Sequence, residues 1–134
     1  MKKDIQVPKV EHIAVAIVPT DDNPNAEVWE VYLINYKDLP INNIIVNARG
    51  YGEIEGEQRK TSNLRYFIES LDAGNFVMVE PIQRALFELA NEFWISFELN
   101  GKLLDKKYVF VSGSIHENHL VSVPILARQG VMIV

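Results

Sequence analysis

Two imidazoles stand three residues apart in His116-Glu117-Asn118-His119, the pair in this chain best suited by type to hold a metal ion. On a helical turn that spacing brings both rings to one side, where Glu117 or the distant His12 would complete a zinc-type donor set. No third ligand stands at a characteristic spacing, and the residues around the pair are those of a polar connector, so a solvated turn is the favoured reading. Asp21-Asp22-Asn23 with Asn25 offers oxygens of the kind calcium takes. The alternating order of a calcium loop, its glycine and its bidentate glutamate are all missing. Asp and Asn also close turns by bonding their own backbone, which explains the run without an ion.

Carboxylates and nucleophiles fare no better. Glu53, Glu55 and Glu57 at spacing two would share a strand face. Paired carboxylates divide acid and base roles only where their surroundings push their pKa values apart. Gly50, Gly52 and Gly56 around them point instead to an exposed edge, where charge discourages strand pairing between molecules. Ser112-Gly113-Ser114 is a fragment of a G-x-S-x-G elbow, and Gly50-Tyr51-Gly52 lacks the third glycine of a dinucleotide loop because Glu55 stands there. No phosphate loop is present, and no residue pattern calls for a cofactor. Aromatic side chains remain. Trp94, Tyr32 and Tyr36 are the candidate anchors of a binding surface, since a ring with a polar tip suits a contact made at a protein face. For Trp94 cover by residues 82–91 or by the C-terminus is the favoured reading, with the exposed anchor the alternative.

The elements that would carry these residues are strands. Phe93, Ile95, Phe97 and Leu99 alternate with Trp94, Ser96 and Glu98, the period of a half-buried strand. Asn100-Gly101 tolerates the positive φ angles of a two-residue hairpin turn, and 102–112 returns as the partner strand. Upstream, the pattern predicts strands over 10–18, 26–36, 41–49, 61–70 and 76–80, the last stopped by Pro81. The strand over 26–36 is apolar on both faces: Trp29, Val31 and Leu33 on one, Val28, Tyr32 and Ile34 on the other, with Glu30 marking the wetter side. Such a strand needs cover on each side. Residues 82–91 fit both a helical spacing and an alternation in phase with Phe93, and extended structure is the favoured reading, with one short helix the alternative. Apolar segments over 120–126 and 131–134 end the sequence, and burial in their own domain is favoured over strand addition across a dimer. These features predict a single all-β domain over 1–134, an antiparallel β-sandwich of about eight or nine short strands, with a closed barrel next.

Charge and composition narrow the partners. At 48% hydrophobic and 23% charged residues the chain has the makings of a core. Thirteen basic against 18 acidic residues give a net charge of −5, which repels phosphate backbones, so nucleic acid is disfavoured unless a local basic patch forms. Arg59-Lys60 with Arg65, and Lys102 with Lys106-Lys107, are the nearest candidates. The absence of cysteine excludes disulfides and thiol chemistry. Met1-Lys2-Lys3-Asp4 opens as a signal peptide does, but Gln6, Pro8, Lys9, Glu11 and His12 interrupt any apolar stretch. No run reaches the ~18 to 20 apolar residues of a membrane helix, so a cytoplasmic protein is expected.

The run Trp29 to Tyr36, together with Gly52-Glu53-Ile54-Glu55, Tyr66-Phe67-Ile68 and the hairpin from Phe93 to Val111, resembles uncharacterised bacterial β-sandwich proteins. The pattern is similar to the non-catalytic sandwich domain beside some Smr-type endonuclease domains. That resemblance implies an antiparallel sandwich and transfers no catalytic residue, because the nuclease domain has no counterpart here. Some similar small proteins carry a phenylalanyl-tRNA synthetase α-subunit label; this chain is too short and acidic for that activity and has no motif for ATP or tRNA. The expected function is a non-enzymatic interaction module that engages a protein partner or itself. Small-ligand or metal binding, between the sheets or at His116 and His119, is the alternative, followed by an enzyme.

Overall fold

The computed structural model describes residues 9–134; the start of the chain, with the signal-like Met1 to Asp4, lies outside them. Ten strands follow in order: β1 (Ile13–Pro19), β2 (Val28–Asn35), β3 (Ile41–Ile54), β4 (Glu57–Lys60), β5 (Leu64–Leu71), β6 (Asn75–Gln83), β7 (Ala90–Leu99), β8 (Lys102–Phe110), β9 (Val121–Val123) and β10 (Arg128–Ile133). They form two antiparallel sheets, an all-β sandwich. The first sheet runs β6-β2-β1-β10-β9. In the second, β3 pairs with β7, and β7 with β8; the other flank of β3 is shared by β5 and β4.

Alternation decides which side chains meet. Ile13, Val15, Ile17, Trp29, Val31 and Leu33 from the first sheet face Val46, Phe93, Ile95, Phe97 and Tyr108 from the second. The Tyr108 hydroxyl crosses this layer and donates to the Ile13 carbonyl at 2.7 Å, a buried bond that ties the sheets together. Burial pushes the Tyr108 phenol well up from its ordinary value. The apolar second face of β2 is explained by a smaller cluster on the outside of the first sheet. Ala14, Ala16, Val18, Tyr32, Ile34 and Val123 are buried there, with Tyr36, Leu126 and Met132 packed on them. The C-terminal segments supply this cover from within the domain, as β10 lies between β1 and β9. Gly130 on β10 permits the fit: a Cβ there would stand 2.8 Å from Val18 Cγ2 and 3.0 Å from the Ile17 carbonyl.

Several boundaries differ from the sequence expectation, each for a local reason. Asn43 at φ 50° makes a bulge, with Asn42 opposite Glu98 and Ile45 opposite Ser96. Ile41 and Ile44 therefore both point inward, a spacing that simple alternation does not allow. β3 then continues past Arg49 to Ile54, and the return strand breaks at 61–63, where the Thr61 hydroxyl accepts from the Gly50 amide at 2.7 Å. Glu53 and Glu57 lie on opposite arms of this hairpin with Glu55 in its turn at φ 51°, so the three acids do not share a strand face. Pro81 does not stop its strand, because β6 is an edge strand where a residue without an N–H is tolerated. The extended reading of 82–91 is corrected in its middle. Arg84–Glu88 is a 3-10 turn that sets Phe87 edge-on against Trp29, ring centroids 5.3 Å apart. Asn100 and Gly101 adopt φ 52° and 74°, as the hairpin dipeptide predicts.

Candidate functional site on the outer face of the second sheet

The four strands β5, β3, β7 and β8 present one broad outward face, and register sets its rows. Arg65 pairs with Asn47, Asn47 with Trp94, and Trp94 with Lys107, so four chemically distinct side chains form a single line across the sheet. The neighbouring row is Phe67, Ile45, Ser96 and Asp105. Among the described residues no element covers this face: Trp94 is 42% exposed and Phe67 65%. Neither residues 82–91 nor the C-terminus lies over Trp94. Its ring is held from the side instead, with Nε1 donating to Asp105 Oδ2 at 2.8 Å and Lys107 Nζ 4.7 Å from the ring centroid.

A cleft of about 260 Å³ opens beside Trp94, lined by Asn47, Arg49, Asn63, Arg65, Glu92 and Lys107 among others. Glu92 forms its floor. Its side chain is only 7% exposed and accepts from Arg49 Nε at 2.9 Å and Nη2 at 3.4 Å, while the Tyr51 hydroxyl donates at 3.4 Å. The hydrogen bond and charge of Glu92 push the Arg49 guanidinium up from its ordinary value. Arg65 Nε donates to Asn47 Oδ1 at 3.0 Å, which holds its guanidinium over the sheet. Three cations and one ion-paired carboxylate thus line this cleft on an acidic chain. The cleft can accept hydrogen bonds from few groups and donate to many, which suits an anionic ligand resting beside the Trp94 ring.

The other candidate residues fall elsewhere. Tyr32, expected as a surface anchor, is 8% exposed on the opposite sheet, where its ring belongs to the second apolar cluster. Arg128 Nη1 donates to its hydroxyl at 3.2 Å and to Glu30 Oε1 at 3.3 Å, and Arg128 Nε to Asp22 Oδ1 at 2.9 Å. Tyr36 is half-buried, and its hydroxyl donates to the Pro124 carbonyl at 3.2 Å, closing the C-terminal hairpin against β2. Both tyrosines therefore hold the first sheet together, and they do not join Trp94. His116 and His119 sit on a short 3-10 turn with ring centroids 6.2 Å apart. Backbone groups occupy both Nδ1 atoms: His116 accepts from the Asn118 amide at 3.0 Å, and His119 lies 2.9 Å from the Ser114 carbonyl. Among the described residues no three His, Asp or Glu side chains converge as a metal would require. Asn23 Oδ1 accepts from the Asn25 amide at 3.0 Å, the Asx turn that the sequence predicts.

Arg49, Asn47 and Glu92 carry no local signal in the sequence. Arg65 and Lys107 stand in two separate basic runs there, and only the strand order β5-β3-β7-β8 brings them into one row. The chain matches no family model, no curated protein and no solved structure. Among the described residues no helix is long and apolar enough to cross a membrane.

Proposed function

We propose that this protein is a non-enzymatic interaction module that grips a protein partner with the outer face of the second sheet. One observation carries the reading: Phe67 and Trp94 stand exposed in adjacent rows of a four-stranded face, ringed by Arg, Lys, Asn, Ser and acidic side chains. An exposed aromatic pair inside a polar rim is the composition of a contact surface, in which aromatic and Arg anchors dominate affinity. The edges of the sheets are less suited to strand addition. Lys102, Lys106 and Lys107 lie along β8 and Pro81 stands within β6, both devices that discourage pairing with another strand.

Phe67→Ser and Trp94→Ala test it. Each should weaken capture of the partner in affinity purification from the native cell. Because Phe67 is so exposed, its replacement should shift the thermal midpoint by no more than about 2–3 °C. Capture unchanged by both replacements would remove this face from the binding account.

A further inference from the structure

We infer that the partner segment recognised by this face is acidic and extended, with carboxylates four residues apart that reach Arg65 and Lys107 at once. The inference rests on the proposed role of the face and adds the chemistry of what binds there. Strand spacing gives the distance. Arg65 on β5 and Lys107 on β8 belong to one row and are separated by three inter-strand steps, about 14 Å at roughly 4.8 Å each. In an extended peptide, side chains at positions i and i+4 share one face and lie about 13.6 Å apart. A segment laid across the strands therefore delivers one carboxylate to each cation, with its middle residues over Asn47 and the Trp94 ring.

The side chains present fit this occupant. Arg65 uses Nε on Asn47, which leaves the outer N–H groups of its guanidinium for a two-pronged bond to a carboxylate. Lys107 is exposed and lies over Trp94, its ammonium open to a ligand. Arg49 stands one row away but is already bound to Glu92, so its charge is largely spent within the protein. Charge complementarity also selects the class. A phosphate polymer would carry its dense charge onto Asp105 and Glu98, which occupy the same face and have no cationic partner among the described residues. A peptide with spaced carboxylates meets the cations and passes the acids.

Calorimetric titration of the full chain tests this with three peptides: hexaglutamate, Glu-Ser-Ser-Ser-Glu and Glu-Ser-Ser-Glu. A short oligothymidylate and inorganic phosphate serve as comparators. Hexaglutamate and the four-apart peptide should bind, the three-apart peptide more weakly because its second carboxylate points away from the sheet. Reversing both charges with Arg65→Glu and Lys107→Glu should lower affinity by about tenfold or more, and added salt should weaken binding further. Glu92→Gln should raise affinity about threefold by releasing the Arg49 charge that Glu92 pairs, a gain that damage to the fold would not produce. Amide shifts on peptide addition should centre on Asn47, Arg65, Trp94 and Lys107.

Absence of peptide binding, binding indifferent to the charge reversal, or tighter binding of oligothymidylate or phosphate would each overturn the inference. If hexaglutamate fails while Phe67→Ser still abolishes partner capture, the face remains an interface and only its acidic ligand is wrong. If Phe67→Ser and Trp94→Ala leave capture intact, the interface itself is wrong, and the inference falls with it.

Discussion

Replacing Asn35 by Asp changes one amide nitrogen to oxygen, yet the structure predicts a severe loss. Asn35 is fully buried at the end of β2. Its Nδ2 donates to the carbonyls of Leu39 at 2.9 Å, Leu71 at 3.1 Å and Asp72 at 3.2 Å, and its Oδ1 accepts from the Lys37 amide at 2.9 Å. One side chain thus joins the β2–β3 turn to the crossover from β5 to β6, where the chain passes between sheets. Three carbonyls and one amide fix which way the side-chain amide points. An ionised carboxylate keeps the bond from Lys37 but sets an oxygen against three others. Loss of two good bonds, desolvation of the carbonyls left unpaired and burial of a charge together come to about 3–5 kcal/mol at neutral pH. For a chain of 134 residues that is a fall of roughly 10–20 °C in thermal midpoint. Burial and facing oxygens raise the folded-state pKa of the new Asp above its unfolded value of about 3.9. The protonated form, which can donate once, is favoured in the native state. Its share of stability is complete below that unfolded value and is lost as pH rises through the folded one. Urea denaturation of Asn35→Asp and the parent at pH 4 and pH 7 should show a deficit that widens with pH. A deficit under 1 kcal/mol at pH 7, or one equal at both pH values, would refute the assignment of Asn35 as a buried donor.

Two further perturbations probe the rest of the frame. Gly130→Ala forces a Cβ against Val18 and the Ile17 carbonyl, so it should cost about 1–3 kcal/mol by chemical denaturation, and an unchanged midpoint would contradict the close approach of β10 and β1. At the seam between β5 and β6 the Tyr66 hydroxyl donates to Glu80 Oε2 at 2.6 Å. Burial raises the Glu80 carboxyl above its ordinary value, the Tyr66 bond offsetting part of this, and the Tyr66 phenol is pushed up to about 12 by burial first and then by Glu80. Stability from protonated Glu80 is complete below pH 4.5 and lost as pH rises through its folded value, so Glu80→Gln should gain on the parent between pH 4 and pH 7. A difference that does not move with pH would remove Glu80 as a linked group. Tyr66 adds an alkaline limit, its contribution intact below pH 10 and lost as pH passes about 12.

What the sequence made legible was period and turn chemistry. The alternation of Phe93, Ile95 and Phe97, the Asn100-Gly101 turn and the two apolar faces of β2 all rest on neighbours within a few residues, and each is found in the fold. Features set by distant partners stayed hidden. Asn43 takes a positive φ beside the Asn42–Glu98 pair, its Nδ2 donating to Glu98 at 2.8 Å, and nothing local announces the bulge. Phe87 turns inward onto Trp29, far away in sequence, the two rings nearly perpendicular, and 84–88 leaves the extended form as a 3-10 turn to bring it there. The candidate site divides in the same way. Trp94 was visible as the odd residue on the polar face of an alternating strand. Tyr32 and Tyr36 have the same amphipathic character, and the difference lies in cover: the β9–β10 hairpin packs against them, whereas none of the described residues lies over Trp94.

This contrast is the reason the proposed binding is assigned to one face only. Both sheets expose an outer surface, and both carry an arginine beside an aromatic ring. On the first sheet Arg128 is enclosed by Asp22, Glu30 and Tyr32, so its charge and its donors are satisfied internally. An arginine in that state has little left to offer a ligand. On the second sheet Glu92 satisfies Arg49 alone. Arg65 and Lys107 keep donors free on either side of Trp94, with Phe67 exposed in the next row. A stable fold does not require two cations and two aromatics to stand open together, since each would gain more from a partner than from water. Their arrangement at the spacing of an extended chain is what the proposed acidic partner would use.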